Sequence, residues 1–113
     1  EVGYSVPNEI IKKYGKKGKE IKNDYLTTSY SVYVDRTESS FNLLDSLINK
    51  NIYRVYPHKL FCNTVIKGRC VTHDDENIFY YDDDHPSLKG AEMINNLIMD
   101  KIKNPQKFLS EGF

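Results

Sequence analysis

Ile78-Phe79-Tyr80-Tyr81-Asp82-Asp83-Asp84-His85-Pro86-Ser87-Leu88-Lys89-Gly90 is the stretch on which the reading of the chain turns. The short apolar run Ile78 to Tyr81 reads as a strand, and the acids and His85 follow at its carboxyl end. Ser87 then suits the N-cap of a helix from Leu88 to about Lys103, with Ala91, Ile94, Leu97, Ile98 and Ile102 facing inward. Pro105 closes it, because the residue before a proline leaves the helical region. A strand, a loop and a helix in that order make half of a βαβ unit. In open α/β sheets ligand sites gather outside the carboxyl ends of the strands. A carboxylate three residues before a histidine can reach back to one ring nitrogen, fixing the tautomer and leaving the other nitrogen as a general base. Asp82 and His85 are therefore the candidate catalytic pair.

Upstream, Thr37, Ser39 and Ser40 lead into Phe41, Leu43, Leu44, Leu47 and Ile48, an amphipathic helix ended by Asn49-Lys50-Asn51. Ile52, Tyr53, Val55 and Tyr56 form a β-rich run that Pro57 stops. A helix between two such runs suits a right-handed crossover and a parallel sheet. Tyr25 to Val34 has high β propensity interrupted by Thr and Ser. Glu1 to Val6 reads as the end of a strand, with Pro7 ending the ladder. Asn8 suits the cap of a short helix, Glu9 to Tyr14, stopped by Gly15. Gly15 to Asn23, rich in Lys and Gly, reads as a mobile loop. Asp74 to Asn77 is a turn, and residues 104–113 form a tail whose Phe108 and Phe113 can pack back on the body. The expected fold is α/β, a partial three-layer α/β/α sandwich on a mostly parallel sheet, in a single domain spanning 1–113.

At 113 residues the chain is one domain at most, able to bury roughly 65% of its unfolded surface. Hydrophobic residues make up 39% and charged residues 28%, which places it among globular chains rather than disordered ones. A formal net charge of zero argues against a nucleic-acid partner. Lysines 12, 13, 16, 17, 19 and 22 cluster early, and Asp74, Asp75, Glu76, Asp82, Asp83 and Asp84 cluster late; both read first as solvated surface. No stretch reaches the ~18–20 apolar residues of a membrane span. There is no initiator Met, signal peptide or lipidation motif, so the chain is expected to be a fragment or excised domain.

Cys62 and Cys70 are the only cysteines. Two thiols without further Cys, and without His between them, make a poor zinc site. They read as a disulfide closing a hairpin within His58 to Thr72, with two free thiols as the other possibility. A bridge would place the domain in an oxidising compartment.

His85 has plainer readings besides catalysis, a histidine that caps the following helix or one that sits on the surface, and the three acids beside it could instead hold a divalent cation. His58 and His73 are loop residues without a partner pattern, and Asp83 and Asp84 read as solvated or capping acids. Gly90 lets the first turn of the last helix lie close to the sheet.

Asp82-x-x-His85-Pro86-Ser87-x-x-Gly90 resembles the last conserved block of the SGNH (GDSL-like) hydrolases. Glu1-Val2-Gly3-Tyr4-Ser5-Val6-Pro7, Leu60-Phe61-Cys62 with Cys70, and Tyr80 to His85 resemble the SGNH domain fused to membrane-bound acyltransferase family 3 proteins. The resemblance runs from roughly Glu1 to Ile102, with one departure: fused domains usually carry Leu where this chain has Pro86. It implies the carboxyl-terminal half of an SGNH, flavodoxin-like domain, in which the Tyr25 to Val34 region leads into a helix, and an O-acyltransferase or esterase that acts on cell-envelope polysaccharide such as lipopolysaccharide. It further implies a Ser-His-Asp mechanism without cofactor, to which this chain gives His85 and Asp82. Family members take the nucleophile from a Gly-Asp-Ser block and complete the oxyanion hole with a Gly and an Asn; no Gly-Asp-Ser occurs in these 113 residues. The chain alone is therefore expected to be inactive. The implied partners are the amino-terminal half of the SGNH domain, an attached membrane acyltransferase domain and a glycan acceptor. The implied location is the periplasm, tethered to the inner membrane. A free-standing secreted SGNH esterase and a non-catalytic carbohydrate-binding module that keeps the fold without the serine are the alternatives.

Overall fold

The computed structural model describes residues 2–15 and 25–105. Helix α1 spans Val6–Tyr14, strand β1 Thr27–Ser29, helix α2 Tyr30–Asp45, a 3-10 turn Pro57–Leu60, strand β2 Arg69–Val71 and helix α3 Leu88–Lys103.

α1 buries Val6, Ile10 and Tyr14, three residues four apart that fall on one helical stripe. Its N-cap is Ser5 rather than Asn8, and Pro7 opens the helix instead of ending a strand; a proline in the first turn forfeits no helical hydrogen bond. Gly15, at φ 73°, donates its N–H to the Ile11 carbonyl at 2.8 Å and ends it. Most of the lysine-rich stretch expected as a loop at 15–23, and all but residues 104 and 105 of the expected tail, lie outside the described residues.

The expected mostly parallel sheet is not what the described residues form. Their one sheet is an antiparallel pair, β1 with β2, in the register Thr27↔Val71, Thr28↔Cys70 and Ser29↔Arg69. The run expected as a strand at Ile78 to Tyr81 makes only isolated bridges, His73↔Ile78 and Tyr80↔Pro86. Ile52 to Tyr56 is irregular, with Ile52 and Tyr53 exposed. β propensity is a preference for a pleated surface with neighbours; among the described residues Ile52 to Tyr56 has no bridge partner, and Ile78 to Tyr81 has single bridges that do not extend into a ladder.

The β-rich reading of Tyr25 to Val34 survives only at β1. From Tyr30 onward the chain is helical, because Ser29 caps it: its hydroxyl accepts from the Val32 N–H at 3.3 Å. The aromatic residues then fall at helical spacing, and Tyr30, Tyr33 and Phe41 gather around His58 at ring-centroid distances of 6.3, 5.3 and 5.3 Å. α2 ends at Asp45, before the Ile48 expected from periodicity. Arg54 donates to the Leu44 and Leu47 carbonyls and pairs with Asp45 at 3.3 Å, capping that end. Leu43, Leu44, Leu47 and Ile48 stay exposed.

The expected hairpin at the cysteines is present. Cys62 and Cys70 are disulfide-bonded and bridge antiparallel to one another. Buried residues form two clusters, Val6 with Ile10 and Tyr14, and Phe61 with Val71 and Phe79; Tyr80 packs against both. Met93 of α3 joins the second cluster. Ile98 and Ile102, expected to face inward, are exposed.

Candidate functional site

Segment 78–81 is extended and is held on both sides. Phe79 donates its N–H to the Thr72 carbonyl at 3.0 Å, and its own carbonyl accepts from the Ser87 N–H at 2.9 Å. Tyr81 donates to the His85 carbonyl at 2.8 Å, which closes 82–84 into a tight loop. Ser87 fastens the far side: its hydroxyl donates to the Ile78 carbonyl at 2.6 Å and accepts from the Gly90 N–H at 3.0 Å, the N-cap of α3. Gly90 is buried against the segment, and a Cβ there would collide with the Phe79 carbonyl oxygen. The amino-terminal residues grip the loop from below. The Val2 N–H reaches the Asp83 carbonyl at 2.7 Å and the Val6 N–H reaches that of Asp82 at 3.4 Å.

Within this frame Asp82 builds an Asx-type turn. Its Oδ1 accepts from the Asp84 N–H at 3.0 Å and the His85 N–H at 2.7 Å. Its Oδ2 lies 2.8 Å from His85 Nδ1, so the two sequence-predicted residues are paired as the spacing implied. A carboxylate acceptor at Nδ1 favours the tautomer with the proton there and leaves Nε2 unprotonated. The His85 side chain is 71% exposed, so the ring is open to an incoming group.

Charge follows geometry. The backbone N–H of Asp84, then that of His85, hold the Asp82 carboxyl far below the usual carboxylate range, and the His85 ring adds to this. The hydrogen bond to Asp82, then the charges of Asp82 and Asp84, push His85 above the ordinary imidazole value. Asp84 is pushed up, first by loss of hydration, opposed by His85 and reinforced by Asp82 and Asp83.

Asp84 is the residue that sequence reasoning set aside. Its Oδ1 lies 2.8 Å from His85 Nδ1, as close as Asp82. The available signal was position: Asp84 adjoins His85 in sequence and stands two residues from Asp82. Asp82, Asp84 and His85 bring their donor atoms within 4.8 Å of one another, and this convergence is already used by the ring nitrogen.

The other two histidines are structural. His73 is buried, its Nε2 accepting from the Leu26 N–H at 2.9 Å and its Nδ1 3.0 Å from the Asp74 carbonyl. His58 is buried among aromatic rings, and burial, then the neighbouring Lys59, pushes its pKa down. It borders a cleft of about 290 Å³ that Tyr33, Arg36, Thr28, Val2 and Tyr80 also line. Neither histidine meets His85. Among the described residues no helix is long and apolar enough to cross a membrane.

Residues 2–100 match the family model described as SGNH domain (fused to AT3 domains). No curated protein and no solved structure matches the chain.

Proposed function

The chain belongs to the family of SGNH domains fused to AT3 domains, and from that premise we propose that it supplies the base and the orienting acid of an acyl-transfer site acting on cell-envelope polysaccharide. The observation that carries the reading is the 2.8 Å contact between Asp82 Oδ2 and His85 Nδ1 on an exposed, backbone-clamped loop. His85 Nε2 takes the proton from a serine hydroxyl as its oxygen attacks the acyl carbonyl and gives it to the donor oxygen as that leaves; it then takes the proton of the acceptor hydroxyl that attacks the acyl-serine and returns it to the departing serine oxygen. Asp82 holds the Nδ1–H and stabilises the imidazolium that forms. No Gly-Asp-Ser block lies in these 113 residues, so the serine and the oxyanion donors come from a further part of the SGNH domain. An attached membrane acyltransferase domain provides the acyl group, a glycan accepts it, and the Cys62–Cys70 disulfide fits a periplasmic setting.

One rival is a non-catalytic module in which the same pairing only shapes the loop; upstream sequence without a Gly-x-Ser elbow would favour it. Kinetics on the complete protein separate the two. His85→Ala should lower ester turnover roughly a thousandfold or more, with a smaller loss for Asp82→Asn. The chain as given should not hydrolyse a simple aryl acetate. Small, equal effects at Asp82, Asp83, Asp84 and His85 would leave the module reading standing.

A further inference from the structure

The geometry points to Asp84 as a second positioning residue for His85, sharing Nδ1 with Asp82. This inference rests on the reading of His85 as the base. Nδ1 carries one proton, yet two carboxylate oxygens stand 2.8 Å from it, Asp82 Oδ2 and Asp84 Oδ1. The two acids are not equivalent. Asp82 is committed on both oxygens: Oδ1 takes the backbone N–H groups of Asp84 and His85, and Oδ2 takes the ring. Asp82 therefore builds the loop as well as orienting the imidazole. Asp84 is 52% exposed and meets the ring from the residue next to it in sequence.

The Nδ1 hydrogen bond goes to Asp82 Oδ2, and Asp84 Oδ1, equally near, adds a second negative charge and a second acceptor within reach, which narrows the ring's rotation about its Cβ bond. Two carboxylates beside the ring also favour imidazolium over imidazole, which is the charge that develops when Nε2 accepts a proton. If Asp82 loses its charge, Nδ1–H still has a carboxylate to turn to. The loop is thus built so that removing either acid leaves the tautomer intact, and removing both frees it. The charged groups acting on the ring are Asp82, Asp84 and, more weakly, Asp83.

Nitrogen NMR of the imidazole in this chain tests the inference without any turnover assay. Asp84→Asn should lower the His85 pKa by more than Asp83→Asn and less than Asp82→Asn, and Asp84→Glu should restore part of the shift. The Nδ1–H tautomer should persist in each single variant and become mixed in Asp82→Asn/Asp84→Asn. In the complete protein, Asp84→Asn should cost several-fold more kcat in the Asp82→Asn background than alone, with KM unchanged, because the acids are coupled through one ring. A His85 titration that ignores Asp84→Asn, or a strictly additive pair of substitutions, overturns the shared role. An NMR response as expected beside unaltered turnover in every variant would keep the positioning and reject the catalytic reading.

Discussion

His73 and His85 stand twelve residues apart, one before and one after the segment 78–81, and the fold uses them in opposite ways. His73 is buried with both ring nitrogens turned to backbone groups, Leu26 N–H on one side and the Asp74 carbonyl on the other. It joins the residues before β1 to the turn after β2. His85 is exposed, is held at one nitrogen by side-chain carboxylates, and joins nothing to anything. The first ring is a structural connector whose donor and acceptor are consumed; the second is oriented with one nitrogen left over. A histidine becomes available for chemistry when the groups that fix its orientation occupy only one of its two ring nitrogens.

That contrast can be broken most severely at Gly90, which touches the segment joining the two rings. Gly90→Ala should cost about 3 kcal/mol or more in thermal or denaturant unfolding, because its Cβ would press into the Phe79 carbonyl oxygen and lie 3.3 Å from Pro86 Cβ. A variant that melts with the parent would mean that α3 can back away from the segment freely.

Replacing the rings themselves sharpens the comparison. His73→Leu should cost about 1–3 kcal/mol, since it strands the partly buried Leu26 N–H without its acceptor. His85→Ala should stay within about 0.5 kcal/mol of the parent in the same melt, as expected of an exposed side chain. Equal costs at the two positions would remove the distinction.

The disulfide lies on the buried side of the contrast. Closing the short loop between Cys62 and Cys70 should contribute about 2–3 kcal/mol, read as the difference between reduced and oxidised unfolding midpoints. Thiol titration under denaturing, non-reducing conditions should find no free thiol in periplasmically made protein.

The smallest effect is the dependence of stability on pH through His85 and Asp82. The raised His85 pKa adds stability that is fully present below its unfolded value of about 6.5 and is lost as pH rises through the folded value. The depressed Asp82 pKa adds stability present above about 3.9 and lost as pH falls through the folded value. The melting difference between the parent and His85→Gln should therefore be greatest between about pH 4 and 6.5. A flat difference across that range would mean that the pair does not form in solution.

Three things were legible from residue order alone, because each depends on neighbours close in sequence. The Asp82–His85 contact follows from a three-residue spacing in a loop, the Ser87 cap from the residue types that open α3, and the cysteine pair from its isolation. The family was legible for the same reason: its marks are short words of local sequence. What depended on distant partners was not. The run of Tyr30, Val32 and Val34 alternates like a strand, yet Ser29 caps it as a helix and His58, brought in from another loop, supplies the ring that its aromatic residues surround. The strands expected at Ile52 to Tyr56 and at Ile78 to Tyr81 have the right composition, but a ladder needs a second chain segment in register, and composition does not specify one. His73 shows the limit most clearly. Its neighbours in sequence give no sign of a role, which arises only when Leu26, forty-seven residues earlier, arrives with an N–H in need of an acceptor.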